Sequence, residues 1–245
     1  MNDPHVKALM YRLVPPDGVE FQAPVLDFET SDFSCRLSGD ILELKPKEHY
    51  QSEDEARAVT DPFIRSWEIH AGLVAGRPEF MLRFESSSIV DRHPTPGRRE
   101  VFLKESVHML DSVYIKKICG AYPVPPQEFA LSSVVEALWD RYCKYLAGNE
   151  PLFSMAYACL TLLGPGPRKD VARNLGIEEK ILNKLGELTS QRGDALTARK
   201  IDQNIKPLKP EEKTWVEETL KAIIRHIATP SKSTNLTMKD LPTLP

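Results

Sequence analysis

The chain has 245 residues, 41% of them hydrophobic and 27% charged, with a formal net charge of −3. That length can bury one large core or two small ones. No apolar run reaches the 18 or more residues that a membrane span needs, and the charge lacks the basic surplus of a dedicated nucleic-acid binder. The opening from Met1 to Lys7 has no basic-then-apolar layout of a secretory signal. The cysteines (Cys35, Cys119, Cys143, Cys159) form no C-x-x-C pair. Both features suit a cytoplasmic protein with structural thiols, with disulfides the second reading and metal the third.

The first half reads as strands. Phe33, Cys35 and Leu37 alternate with polar neighbours, Ser38 to Asp40 supplies a glycine turn, and Ile41 to Leu44 resumes the apolar run. This is the pattern of a hairpin. A second pair is expected from Phe80, Leu82 and Phe84 with Val101, Leu103, Val107 and Met109, joined across Pro94 to Gly97. Between the pairs lies a helical insertion. Ser52 and Glu55 fit a capping box, and Val59, Phe63 and Trp67 recur every four residues. Pro62 is expected to break it, with Asp61 capping a second helix that ends near Gly76.

The period changes after Pro123 to Pro126. Val135, Leu138, Trp139, Tyr142 and Leu146 form a helical stripe, with Ser133 and Glu136 as a capping box and Gly148 at its end. Pro151 to Leu163 is apolar nearly all round, as in a helix buried on most sides. Two short helices follow, over about 168–175 and 178–190. A polar loop, 191–209, leads to a helix starting at Pro210 with Val216, Leu220, Ile223 and Ile227 as its apolar face. The expected class is α+β: an antiparallel sheet with a helical insertion over 1–127, a helical subdomain over 128–228, and a loose tail over 229–245 rich in Pro, Ser and Thr.

The segment from Arg168 to Leu188 has the sharpest rhythm: Ala172 stands four residues before Gly176 and Leu182 six after it. It resembles the helix-turn-helix core of many bacterial DNA-binding proteins, winged-helix ones included. The resemblance implies that Ala172 permits close helix crossing, that Gly176 supplies φ > 0 at the turn, and that Leu175, Ile177 and Leu182 are buried. It also implies that the second helix is the one that enters a major groove. Lys169, Arg173, Lys180, Asn183, Lys184, Arg192, Arg199 and Lys200 are then the nucleic-acid-binding candidates, with the loop around Gly193 as a wing. Residues 166–210 carry ten Lys or Arg against six Asp or Glu, but residues 178–190 carry two against three. An acidic start at Glu178 and Glu179 opposes phosphate and suits a protein partner. The same Ala-x3-Gly spacing also serves two bundle helices joined by a glycine turn.

Other constellations are weaker. Arg65 and His70 resemble the Arg-x4–6-His signature of all-helical ribonucleases linked to bacterial defence, although Ser66 departs from that pattern. Asp91, Arg92 and His93 read as a solvated turn, and Arg225 and His226 as cations at a helix end. Glu48 and His49 with Glu53 to Glu55 could gather a cation, but read first as capping. No phosphate loop, dinucleotide fingerprint, zinc-protease or serine-hydrolase motif occurs, so no cofactor or metal is expected. The sequence points to a non-catalytic binding or adaptor protein that engages DNA or a protein partner. The alternative is a ribonuclease-like enzyme built on Arg65 and His70.

Overall fold

The computed structural model describes residues 2–93, 117–191, 207–229 and 235–244. The chain forms two compact units, Met1–Gly72 with Pro78–Pro125, and Leu73–Arg77 with Pro126–Pro245. The protein is α+β.

The first unit is built on strands β1 (Pro4–Leu13), β3 (Leu26–Glu29), β4 (Phe33–Ser38), β5 (Ile41–Pro46) and β6 (Leu82–Asp91). With β2 (Val19–Phe21) apart from them, they pair antiparallel in the order β3-β4-β5-β1-β6. The hairpin read from sequence is β4–β5. Ser38 pairs with Ile41 across Gly39 and Asp40, and Gly39 takes φ +62. Leu82 and Phe84 lie on β6, whose described partner is β1; the expected partner at Val101 to Met109 lies outside the described residues. β2 pairs in parallel with β7 (Lys117–Cys119). One face of the sheet supplies Val6, Leu9, Tyr11, Leu13, Phe33, Leu37, Leu42 and Leu44 to the core.

Helix α1 (Glu53–Ala75) covers that face with Ala56, Ile64, Trp67 and Ala71. It runs unbroken through Pro62, against the expectation of two helices. An interior proline costs about 3 kcal/mol, and burying large side chains such as Ile64 and Trp67 returns about 1.5–3 kcal/mol each. Packing therefore outweighs the lost hydrogen bond. The carbonyl of Pro62 itself accepts the Ser66 hydroxyl at 2.8 Å. Trp67 is fully buried, and its Nε1–H donates to the Pro123 carbonyl at 3.1 Å.

The second unit contains α2 (Ser133–Leu146), α3 (Leu152–Leu162), α4 (Arg168–Leu175), α5 (Glu179–Gln191) and α6 (Pro210–Ala228). Ser132, not Ser133, caps α2: its hydroxyl accepts the Val135 N–H at 3.2 Å. The helix begins one residue earlier than the box at Ser133 and Glu136 requires. Val135, Leu138, Trp139 and Tyr142 are buried as the stripe requires, while Leu146 is exposed. α3 packs against α2, α5 and α6. α6 opens with Pro210 in its first turn and the Lys209 N–H bonded to Glu212 at 2.9 Å. It buries Trp215, Val216, Leu220, Ile223 and Ile224. No helix of the described residues is long and apolar enough to cross a membrane.

Candidate functional site

The two short helices expected from the sequence are α4 and α5. Gly176 between them adopts φ 64, ψ 36, the left-handed region that L side chains avoid. The Ile177 N–H reaches back to the Ala172 carbonyl at 2.9 Å, which closes the end of α4 in the manner of glycine-terminated helices. Ala172, Ile177, Ile181, Leu182, Leu185 and Leu188 are buried. Glu179, Lys180, Asn183, Glu187 and Ser190 are exposed, so α5 has one apolar and one polar face.

Of the described candidates, Lys180, Asn183 and Lys184 lie on that polar side of α5 and Lys169 and Arg173 on α4, and all but Lys169 meet an acid of their own segment. Arg173 pairs with Asp170 at 2.8 Å, Lys184 with Glu187 at 3.0 Å and Lys180 with Glu178 at 3.8 Å. Asn183 donates to Glu179 at 3.3 Å. Lys169 is exposed on α4. Arg192, Arg199 and Lys200 lie outside the described residues. Arg168, not picked out from the sequence, lays its guanidinium against Gly186 of α5, where a Cβ would collide with it.

Residues 235–244, within the stretch read as a loose tail, are instead tied to the α4–α5 turn. Leu236 forms a parallel bridge with Ile177. The Glu178 N–H donates to the Leu236 carbonyl at 2.8 Å, and the Leu236 N–H to the Gly176 carbonyl at 2.9 Å. The Glu178 carboxylate accepts the Met238 N–H at 2.8 Å. Leu236 and Leu241 are buried. Between them a short 3-10 turn, Met238–Asp240, is closed by the Thr237 N–H and hydroxyl, both bonded to Asp240 at 2.8 Å. The Thr237 N–H holds the Asp240 carboxyl below its ordinary range. The imidazole of His226 bonds the Leu175 carbonyl at 2.9 Å. The signals for this docking were two leucines five residues apart and the Thr237-x-x-Asp240 box.

The remaining constellations resolve as follows. Arg65 and His70 stand on α1 on either side of buried Trp67, about 140° apart around a regular helix, and Arg65 pairs with Glu68 at 3.4 Å. They do not converge. Arg225 donates to the Leu73 carbonyl. The Glu55 N–H donates to Ser52 Oγ at 3.3 Å, one half of the expected box, while its carboxylate accepts the N–H of Gln51, one residue before the cap, at 2.9 Å. Two other motifs do meet, at one end of the sheet. His49 Nε2 lies 3.3 Å from Asp3, and its Nδ1 lies 3.1 Å from both His5 Nδ1 and Arg92 Nη1. Asp91 accepts the N–H groups of Asn2, Asp3 and His93 at 2.9–3.0 Å. Burial, followed by Arg92 and His49, lowers the pKa of His5, so this end of the sheet favours neutral imidazole there. Among the described residues no group of three or more His, Cys, Asp or Glu could hold a metal ion. All four cysteines are free thiols; burial pushes Cys35 and Cys159 up to about 12, which leaves them un-ionised at neutral pH.

Comparison with protein-family models, with curated proteins and with solved structures finds no match.

Proposed function

We propose that the helical unit is a binding module and that the outer face of α4 and α5 engages a protein partner, which makes the chain an adaptor. The observation behind this reading is the charge balance of that face. Residues 168–190 carry five Lys or Arg against four Asp or Glu, and Arg173, Lys180 and Lys184 each lie beside a carboxylate. Such exposed pairs are worth only about 0–1 kcal/mol each, so a ligand could break them. The near cancellation matters more, because phosphate binding draws on uncompensated positive field. A mixed polar face with a buried apolar back is better suited to a protein surface.

Duplex DNA is the second reading, favoured by the Gly176 turn and by exposed Lys180 and Asn183 on one side of α5. Fluorescence anisotropy with a mixed-sequence duplex at low salt separates the two. The protein-partner reading expects no saturable binding at micromolar chain, together with discrete protein adducts from a photo-crosslinker at Asn183 and none from one at Lys45. Saturable DNA binding that weakens steeply with salt would replace it with the DNA reading. In that case Lys180→Glu with Lys184→Glu should weaken all sequences alike, and Asn183→Ala should change sequence preference.

A further inference from the structure

We infer that the α4–α5 turn carries a docking slot for a short peptide, filled here by the chain's own residues 235–241, and that a partner segment of the same pattern competes for it. The slot's chemistry is legible from its present occupant. Main-chain groups of Gly176 and Glu178 bond those of Leu236 in parallel, at 2.9 and 2.8 Å. This is strand addition, which recognises backbone and leaves selection to side-chain positions. Two such positions are set by burial, Leu236 at 8% exposure and Leu241 at 7%, five residues apart. A third contact is electrostatic in origin: the Glu178 carboxylate takes the Met238 N–H at 2.8 Å. The occupant is therefore a segment extended at one leucine, with an N–H two residues on for the carboxylate, that passes through one 3-10 turn to a second leucine.

Gly176 is part of the slot. A Cβ there would lie 3.2 Å from Asn235 Oδ1 and 3.4 Å from His226 Nε2, so the glycine gives the segment room to approach. Glu178 also acquires a role that groove binding does not explain, since its carboxylate anchors the segment. The slot lies at the amino end of α5, beside the exposed face formed by Lys180 and Asn183, and it functions whether or not that face binds anything.

The test uses the full chain with Leu236→Asp and Leu241→Asp, which expels the internal segment, and a fluorescent peptide of residues 235–244. The peptide should bind this variant saturably. It should bind the intact chain at least about tenfold more weakly, because only the fraction with an open slot can accept it. A peptide with the same two substitutions should bind neither. Equal binding to both chains, or none to the folded variant, overturns the slot. Should circular dichroism show the variant unfolded, hydrogen exchange on the intact chain decides. Amides of Leu236 and Glu178 that exchange much faster than that of Ile223 support a segment that opens on its own; equal protection overturns it.

Discussion

At the scale of single residues, glycines and one part-buried acid carry the clearest consequences. Gly176 sits at φ 64 with Asn235 and His226 close to where a Cβ would be. Gly176→Val should cost about 1–3 kcal/mol, the usual range for a strained backbone position, read as a lower thermal midpoint. Gly186 is the opposite case. It lies inside α5, and the three atoms nearest to a Cβ there all belong to the Arg168 guanidinium. That group ends a flexible, exposed side chain and can swing away. Gly186→Ala should therefore stabilise by up to about 1 kcal/mol through helix propensity; destabilisation would mean that Arg168 is firmly held. Glu68 is different again. Burial raises its pKa, although it accepts the Leu82 N–H at 2.7 Å and faces Arg65. Folding thus favours its protonated form, so ionisation of Glu68 costs stability above the raised value and costs nothing below the ordinary one. Glu68→Gln should raise the melting temperature near pH 7, and the gap should close as pH falls toward about 4.

At the scale of elements, legibility followed local signals. The β4–β5 hairpin was readable because alternation and a glycine turn coincide at Gly39. The helices α4 and α5 were readable because Gly176 punctuates a clean apolar period. β1 was not, although it is an interior strand of its sheet, flanked by β5 and β6. Its consecutive apolar residues Ala8, Leu9 and Met10 and its two register shifts against β6 scramble the period of two that identifies a strand. The continuous α1 was hidden by Pro62, whose local rule yields to the core around Trp67. The docking of Leu236 on Ile177 was out of reach for a related reason. Such contacts join residues far apart in sequence, and the two leucines and the Thr237-x-x-Asp240 box mark a local turn in a Pro- and Thr-rich stretch without saying what it packs against. Of the candidate site, its helices and exposed polar face were legible. The acids paired to its cations were visible as charges, but their pairing needed coordinates.

At the scale of the whole molecule, charge sets what the chain can approach. Residues 1–130 carry 15 Lys or Arg against 21 Asp or Glu, and the remainder 17 against 14. The helical half is thus only mildly basic, and its described cations on α4 and α5 are largely matched by nearby carboxylates. A polyanion senses the summed field at a distance before it reaches any single lysine, and at about 0.15 M salt that field is screened beyond roughly 8 Å. Local balance therefore decides the outcome, and here it is close to neutral. The intact chain should leave a heparin column below about 0.15 M salt, and Lys180→Glu with Lys184→Glu should move its elution only slightly. Retention well past that ionic strength, lost in the double variant, would show that the pairs open before a polyanion and that the face of α5 is an anion-binding surface after all.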